Sequence, residues 1–526
     1  MPPRAATLSE LLKKGYFPRE LPPPFQTASF AAYAPAHAGT WGKAKWTRCV
    51  RHNLARPGGL RRPLGIPNPI SYYRLAELIV SNWASIRALT WTHRLSASRP
   101  YVMMTSPRAV VPRYRYAELP RLRALRRRAA RYLVRTDISQ FYPTLYTHAI
   151  PWALHGKQQA KAALAAKNKG SHLLGNKIDK ALSNMNDGQT HGVPIGPDTS
   201  LVVAEIVLAA ADNLLETRCK GLVRGFRYVD DYELSFATLR DAEQVLADIQ
   251  GVLSEYELAL NPRKTGVQEL PQALDGRWAS DLSRFKIRDS GHSIAQRNDL
   301  VGLFSLAFEA AAAAPEDSVL RYAVARVQSL DVSARAWRTF QNCLLGAASA
   351  DSSTLPTVLG TLYKVSAATG DAVSKAPLAE VCESVVLRHA PRGQGSEVAW
   401  ALWAACAWKL ALSVDAIKAV GAMDDDVVSL LALYAESQGL FAAGGIDKTR
   451  WSALASDVRA LESEHWLLAY EANRQGWLPA PAVAAEPEFA AMHAAGVSFF
   501  DGAACTPQYP AAALALPGGQ LPDYYA

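Results

Sequence analysis

Three aspartates in the first half of the chain are candidates for one shared metal site. Asp137 follows the apolar run YLVRT, and Asp230 and Asp231 stand side by side in GFRYVDDYELSF. Carboxylates that converge repel each other and raise one another's pKa, and divalent cations relieve that repulsion. Hard oxygen ligands suit Mg²⁺, and two such ions can activate an attacking hydroxyl and stabilise a pyrophosphate leaving group.

The flanking residues predict how these acids are positioned. RYLVRTD predicts a strand over residues 132–136 that ends in Asp137, and GFRYV and YELSF predict a β-hairpin with the acid pair at its turn. Pairing between that strand and the hairpin would bring all three acids together. Aspartate also suits turns on backbone grounds alone, so YVDD by itself is a weak indication of catalysis.

The segment between these acids predicts a loop that leads into a helix. HGVPIGPDTS combines Gly192 and Gly196 with two prolines, which favours a tight loop with few side chains. A helix capped near Asp198 would follow and run to about residue 216. The bare backbone would let a base pair or a sugar approach closely, although an ordinary junction of loop and helix fits the same residues.

Basic residues extend the predicted site. Lys264 in LNPRKT follows a predicted helix over about residues 240–256 and could assist a leaving phosphate as an acid or as a charge; an isolated surface lysine is the alternative. Arg62 in RRPLGIP could bind a triphosphate bidentately. Ten arginines and one acid lie between Arg108 and Arg135, which indicates a polyanionic partner. A solvated helix face is the alternative for that stretch.

Taken in order, RRPLGIP, RTDISQFY, HGVPIGP, YVDD and LNPRKT resemble the fingers strand and motifs A to D of reverse transcriptases. The five blocks cover about residues 45–270, roughly half of the chain. GYFPRELPPPF, IPNPISYY, DISQFYPTLYTHAIPWALHGK and GVPIGPDTS, with a helical second half, further resemble the bacterial antiphage reverse transcriptases of the abortive-infection (AbiK-like) and unknown groups. Ile195 departs from that pattern, since retroviral enzymes typically have glutamine there.

This resemblance implies a fold and a domain layout. After an N-terminal extension over residues 1–44, an α+β right-hand polymerase fingers and palm domain would cover 45–290. An all-α helical-repeat (HEAT-like) domain would cover 298–477, and the Ala- and Leu-rich periodicity of that region independently predicts stacked helices. The Pro/Ala/Gly-rich tail over 478–526 has a composition that favours partial disorder.

The resemblance also implies a metal site. Asp137, Asp230 and Asp231, together with the backbone of Ile138, would bind two Mg²⁺ ions, with Mn²⁺ as a substitute. Lys264 would assist the departure of pyrophosphate.

Nucleotide and nucleic-acid contacts are implied in the same way. Arg62 would hold the triphosphate, and Tyr142 would act as a steric gate against the ribose 2′-hydroxyl. Pro194 and Gly196 would border the nucleotide. The nucleic-acid backbone would follow the arginine run, at Arg123, Arg126, Arg127 and Arg128.

The activity implied is RNA-directed or template-independent DNA polymerisation in bacterial antiphage defence, with protein priming left open. The implied partners are dNTPs, RNA or DNA, a noncoding RNA as one candidate template, and further copies of the chain in a homo-oligomer. The alternative is a palm-fold nucleic-acid-binding or assembly module whose defence effect does not need polymerisation.

Other features argue against several other classes of protein. No apolar run has the length of a signal peptide or a bilayer span, so we expect no membrane partner. The six cysteines are far apart, without zinc-site spacing, which favours reduced side chains and a cytoplasmic location. MDDD at 423–426 precedes VVSLLALY, which predicts a helix N-cap and not a nuclease site.

Overall fold

The computed structural model describes residues 4–92, 95–165, 172–219, 223–370, 372–441 and 445–505. The chain divides into two compact units. The first contains Met1–Pro18, Thr27–Cys49 and Gly65–Leu274. The second contains Arg19–Gln26, Val50–Leu64 and Asp275–Ala526.

The strands of the described chain are short and pair antiparallel where they form sheets. In chain order they are β1 (Val50–Ala55), β2 (Arg61–Ile66), β3 (Pro100–Tyr101), β4 (Val111–Pro112), β5 (Tyr132–Asp137), β6 (Gly225–Tyr228), β7 (Asp231–Phe236) and β8 (Gly266–Glu269). The largest sheet has the order β6-β7-β5-β8, and two-stranded pairs join β1 to β2 and β3 to β4. The predicted strand before Asp137 and the predicted hairpin are both confirmed.

Helices surround this sheet in the first unit. They are α1 (Leu8–Lys14), α2 (Ala28–His37), α3 (Pro69–Ser81), α4 (Trp83–Thr90), α5 (Leu119–Arg127), α6 (Phe141–Thr144), α7 (Ala149–His155), α8 (Lys157–Ala165), α9 (Leu174–Met185), α10 (Asp198–Cys219) and α11 (Leu239–Glu255). The predicted helices near 198–216 and 240–256 are confirmed as α10 and α11. Most of α10 is buried, because LVVAEIVLAAA is apolar on nearly all sides.

The second unit is mainly helical. From residue 275 onward its helices are α12 (Arg277–Arg284), α13 (Ser293–Ala313), α14 (Val319–Arg326), α15 (Ala334–Ala350), α16 (Leu355–Thr369), α17 (Lys375–His389), α18 (Gly395–Trp408), α19 (Val414–Gly421), α20 (Asp426–Ser437), α21 (Thr449–Ser456), α22 (Trp466–Arg474), α23 (Pro481–Ala485) and α24 (Pro487–Ala494). Neighbours pack in succession, with α13 on α15, α15 on α17, α17 on α18, α18 on α20 and α20 on α22. The chain is thus α+β first and helical afterwards.

The MDDD segment caps a helix, as predicted. The Asp425 carboxylate accepts hydrogen bonds from the backbone N–H groups of Val427 and Val428 at 3.0 and 3.1 Å. His52 on β1 also contacts Asp425, with Nδ1 and Oδ2 2.9 Å apart, and β1 packs on α18 and α20. That packing explains why β1 and the start of β2 group with the helices.

The predicted Pro/Ala/Gly-rich tail is ordered and partly helical over its described residues 478–505. Two short helices, α23 and α24, occupy residues 481–494, and Phe499 is fully buried. Residues 506–526, the rest of that prediction, lie outside the described residues. In the described ranges, every helix is too short or too polar to cross a bilayer.

Candidate active site

The sheet brings the three predicted acids together. Asp137 at the end of β5 pairs directly with Asp231 at the start of β7. The backbone N–H of Ile138 donates to the Asp230 carbonyl at 3.1 Å, which holds the hairpin turn beside the end of β5. Directly opposite residues in an antiparallel pair point to the same side, so Asp137 and Asp231 share one face, here called the front face. Asp137 is 7% exposed and Asp231 is exposed.

The hairpin turn between β6 and β7, which contains Asp230, is strained. Tyr228 pairs with Asp231, so Val229 and Asp230 form a two-residue turn. Val229 has φ 53°, a left-handed conformation that a β-branched side chain rarely adopts. Its N–H donates to Ser98 Oγ at 2.7 Å, and its carbonyl accepts from Arg227 Nη1 at 2.9 Å. These two bonds hold the turn in a geometry that the local sequence does not favour.

Arg227 lies on the opposite side of the sheet, the rear face, in a fully buried network. Its guanidinium donates to Glu205 at 2.8 and 3.1 Å and to Asp212 at 2.8 to 3.2 Å, both carboxylates being on α10. The Ser96 and Ser98 hydroxyls donate to Glu205, and the Tyr232 hydroxyl donates to Asp212. We call these six side chains the rear network. Because it also holds Val229, the network connects α10 to the turn.

The charges of the rear network are set by burial and mutual contact. Burial raises the pKa of Asp212, and the attraction of Arg227 does not fully offset it. Burial also raises the pKa of Glu205, but Arg227 and the two serine hydroxyls outweigh it, so that pKa is lowered. Burial lowers the pKa of Arg227, whereas the two carboxylates raise it by more. The two carboxylates therefore hold the guanidinium charged.

Lys264 lies on the front face with the acids. Its Nζ is 2.9 Å from Asp137 Oδ2, and its side chain is 65% exposed. Partial burial lowers the pKa of Lys264, but the bond to Asp137 and the charges of Asp137, Asp231 and Asp230 raise it by more. All three acids therefore act on one ammonium group.

Asn261 fixes Asp137 from the same loop. Its backbone N–H donates to the Asp137 carbonyl at 2.7 Å, and its side-chain amide donates to Asp137 Oδ2 at 3.2 Å. The Lys264 N–H in turn donates to the Asn261 carbonyl at 3.1 Å. LNPRKT thus positions both an amide and an ammonium on one carboxylate.

Tyr142 lies in the single-turn helix α6, directly after β5. It is 8% exposed, and its carbonyl accepts a hydrogen bond from the Val193 N–H at 2.9 Å. Gln140, which precedes α6, has φ 45° and lets the chain turn sharply after Asp137. The structure therefore brings the predicted gate residue to the HGVPIGP loop.

Gly196 of the HGVPIGP loop is packed against another part of the chain. A Cβ at Gly196, where φ is 126°, would lie 2.4 Å from Pro18 Cγ. A Cβ at Gly65 would likewise lie 2.8 Å from the Cβ of Pro194. Close approach is therefore needed here for internal packing, whether or not a nucleotide also borders these residues.

A buried ion pair ties the loop to the N-terminal segment. Arg108 Nε donates to Asp198 Oδ1 at 2.8 Å, and other guanidinium N–H groups donate to the carbonyls of Phe17 and Gly196 at 2.7 and 2.8 Å. The Asp198 N–H donates to the Gly15 carbonyl at 2.8 Å. Arg108, counted above in the arginine run, is structural.

The arginines of α5 divide into two groups. Arg123 and Arg127 bind Glu233 of β7, with shortest distances of 2.9 and 2.6 Å. Glu233 is two residues from Asp231 and so lies on the front face. Arg126 and Arg128 are exposed. Of the four arginines predicted to bind nucleic acid, two bind an internal carboxylate and two are exposed to solvent.

Arg62 lies on β2 in the second unit, with its side chain partly exposed. Its neighbour Arg61 binds Glu397 of α18 through two hydrogen bonds of 2.8 and 2.5 Å. Glu397 is 1% exposed, so this ion pair anchors the strand to the helical unit.

The donor types on the front face fit a divalent metal. Asp137 and Asp231 offer hard oxygen atoms on the front face, and Asp230 lies in the adjoining turn. Carboxylate oxygen is the ligand type that Mg²⁺ prefers. Within the described ranges, no group of three or more His, Cys, Asp or Glu side chains is already gathered at metal-binding distance. Any ion held here would bind to side chains that first adjust around Lys264.

Sequence reasoning missed the rear network and Asn261. A signal for the network was present: Glu205 and Asp212 are seven residues apart in an otherwise apolar stretch, which places two acids on one face of a buried helix. Buried acids need a cation, and Arg227 lies between apolar residues of a strand. Asn261 carries no comparable signal, because its role depends on where β8 pairs.

Comparison with protein-family models and with curated protein sequences gives no match for this chain.

Proposed function

We propose that this protein is a DNA nucleotidyltransferase of the reverse-transcriptase type, which joins dNTPs to a hydroxyl end. The observation that carries the proposal is the direct pairing of Asp137 with Asp231, with Asp230 in the adjoining turn. The order of the five sequence blocks supports it. Three neighbouring carboxylates repel one another, and a divalent cation would relieve that repulsion.

The side chains of the site would divide the work. Asp137, Asp230, Asp231 and the backbone of Ile138 would hold two Mg²⁺ ions, or Mn²⁺ in their place. Bound ions of this kind supply Lewis-acid activation of the hydroxyl and charge neutralisation at the leaving pyrophosphate. Lys264 carries a proton at neutral pH, as lysines ordinarily do, and that proton can be donated as pyrophosphate leaves.

The nucleotide would be held by residues from several segments. Arg62 would bind the triphosphate, and Tyr142 would exclude a ribose 2′-hydroxyl. Tyr142 is fixed for such a role by its bond to the loop that contains Pro194 and Gly196. Exposed Arg126 and Arg128 would contact nucleic-acid phosphates, whereas Arg123 and Arg127 would position α5 through Glu233.

The finer fold assignment belongs to the same proposal. The four-stranded sheet with α10 and α11 would be a polymerase palm, and the succession of packed helices from α13 to α22 would be a HEAT-like repeat. Helices that pack on the next helix or the next but one along the chain, as α17 does on α18 and α13 on α15, are typical of such repeats. Antiphage defence and homo-oligomers follow only from the resemblance, and a cytoplasmic location follows only from the spacing of the cysteines.

The test is DNA synthesis by purified protein. Wild-type protein with Mg²⁺ and labelled dNTPs, with and without an RNA template and primer, should form polymer that chelation by EDTA abolishes. Asp230→Ala should reduce synthesis by about 10³-fold or more, since metal ligands contribute several kcal/mol to such reactions. Glu243→Ala, an exposed acid on α11, is the matched control and should retain full activity.

The same assay separates the remaining alternatives. Product formed without added RNA indicates template-independent synthesis, and product that stays with protein after denaturation indicates a protein primer. Synthesis by Asp230→Ala equal to wild type would reject the enzyme assignment. Phage protection that survives Asp137→Asn would instead favour the palm-fold binding or assembly module.

A further inference from the structure

A cavity of about 610 Å³ lies beside the edge strand β6 in the first unit. Its volume falls within the roughly 300–1,000 Å³ typical of ligand sites. The residues that line it include Trp91, Arg99, Tyr114, Leu122, Arg126 and Phe226. None of these belongs to the acid site described above.

The cavity opens on the same face of the sheet as the acids. Phe226 pairs with Glu233, and Tyr228 pairs with Asp231. Paired and alternating residues share a face, so Phe226 points to the front face with Asp231. Two residues along a strand span about 7 Å, so Phe226 lies one such step along β6 from Tyr228, the pairing partner of Asp231.

The wall of the cavity is an extension of the sheet. The Ala97 N–H donates to the Arg227 carbonyl at 2.7 Å and the Arg227 N–H donates to the Leu95 carbonyl at 2.9 Å, which forms a parallel β-bridge between Ser96 and Arg227 beside β6. The Tyr114 N–H donates to the Ala97 carbonyl at 2.9 Å, and the Arg113 N–H donates to the Arg99 carbonyl at 3.0 Å. Since Arg227 is held by the rear network, the cavity wall and the catalytic turn share one rigid support.

The wall presents flat, cationic and aromatic surfaces. The Arg99 guanidinium lies 4.7 Å from the centroid of the Trp91 ring. The Trp91 indole N–H donates to the Pro100 carbonyl at 3.2 Å, which fixes the ring plane. Tyr114 is also beside an arginine, with the Arg113 guanidinium 5.2 Å from its ring centroid. Aromatic rings and guanidinium planes are the surfaces on which nucleobases stack.

The charge of the cavity favours an anion. Among the described residues, its lining includes two arginines, Arg99 and Arg126, and no acid. On α5, Leu122 and Arg126 face the cavity, whereas Arg123 and Arg127 face Glu233. Arg126 is exposed at the rim and can therefore bind a phosphate. The contacts of Arg123 and Arg127 with Glu233 would stay in place.

We propose that this cavity binds one unpaired nucleotide of a single-stranded nucleic acid, with its base against Trp91, Arg99 and Tyr114 and its phosphate at Arg126. The site would hold a strand next to the acids. That connection rests on the proposed function, whereas the binding itself does not. A free nucleotide has the same chemistry, and the experiment separates the two sources.

The test is binding of a fluorescein-labelled twelve-residue oligothymidylate to the full chain in EDTA, followed by fluorescence anisotropy. Arg126→Glu should weaken binding about tenfold and reduce the slope of log Kd against log salt by about 0.7, the loss of one phosphate contact. Tyr114→Ser should weaken binding about fivefold with the slope unchanged, because stacking is not ionic. Arg121→Glu, an exposed arginine on the same helix, is the charge-matched control and should change Kd by less than twofold.

Three results would overturn the proposal. Equal weakening by Arg121→Glu and Arg126→Glu would show that diffuse charge, and not this cavity, attracts the strand. Unchanged binding in both Arg126→Glu and Tyr114→Ser, with wild-type melting temperatures, would remove the site. If Arg126→Glu and Tyr114→Ser lost binding of dTMP but kept binding of oligothymidylate, the cavity would be assigned to free nucleotides. The binding assay is done in EDTA, which prevents catalysis. Its results therefore do not depend on whether the protein polymerises DNA.

Discussion

The two faces of the four-stranded sheet carry charged groups that contrast sharply. On the rear face, Arg227 uses all five of its N–H donors, and its partners Glu205 and Asp212 are 0% and 2% exposed. On the front face, Asp231 is exposed and Lys264 is the ion-pair partner of Asp137. Saturated, buried charges make a rigid support, whereas exposed carboxylates can exchange partners. The same residue types thus serve structure on the rear face and are suited to ligand binding at the acid end of the front face, whereas Glu233 and its arginines form a structural contact farther along β7.

The largest stability effect should come from breaking the rear network. Arg227→Ala leaves two buried carboxylates without a cation and should lower the free energy of unfolding by about 3–5 kcal/mol. Urea unfolding followed by circular dichroism measures the loss. Arg224→Ala, at an exposed position three residues earlier, should stay within about 0.5 kcal/mol of wild type. A loss below 1 kcal/mol for Arg227→Ala would mean that the network is not a support.

A smaller loss should follow from removing one hydroxyl of the network. Ser98 Oγ accepts from the Val229 N–H and donates to Glu205, both at 2.7 Å. Ser98→Ala leaves a buried N–H unpaired, and we expect a loss of about 1–3 kcal/mol in the same urea experiment. Ser254→Ala, on the exposed side of α11, serves as the control. If the two serine variants unfold alike, Ser98 does not hold the turn.

Removing the ammonium group that pairs with Asp137 should change the free energy of unfolding little. Lys264 is 65% exposed, and Lys264→Ala should cost no more than about 1 kcal/mol. Its pKa is raised in the fold, so its contribution is complete below the unfolded value near 10.5 and disappears only as pH rises through the folded value. The difference from wild type should therefore be constant between pH 7 and 9, and a difference that varies across this range would contradict the ion pair. Under the proposed function, DNA synthesis should fall by about 10²-fold.

The smallest stability effect should come from the exposed acid itself. Asp231→Asn removes one charge from a repulsive group at the surface and should shift the free energy of unfolding by at most about 0.5 kcal/mol in either direction. Thermal melting is sufficient to detect a larger change. A clear destabilisation would mean that Asp231 has a structural role and that the two faces differ less than we infer.

Local patterns predicted much of the first unit. Alternating apolar residues located β5 and the hairpin, and helix-capping residues located α10 and the cap at Asp425, because these features depend on neighbours along the chain. The meeting of Asp137 with the acid pair was predicted as well, since a strand end and a hairpin turn need only pair in register. Short-range rules were sufficient wherever burial and hydrogen bonding were local.

Partners that are distant in sequence could not be predicted in the same way. The arginines of α5 gave a charge count, but which of them meet Glu233 depends on how the helix lies on the sheet. Gly196 indicated a close approach without indicating that Pro18 is the neighbour. The family to which the five sequence blocks point, and the polymerase activity, stay predictions until DNA synthesis is measured.

The contact between Pro18 and Gly196 decides where this protein can be shortened. The Gly15 and Phe17 carbonyls hold Asp198 and Arg108, so the N-terminal segment is a structural part of the loop beside Tyr142. A truncated chain that lacks residues 1–18 would expose the buried charges of Arg108 and Asp198 and would leave the space against Gly196 empty. Affinity tags, cleavage sites or fused reporter proteins should therefore be attached ahead of α1 and never within residues 15–18.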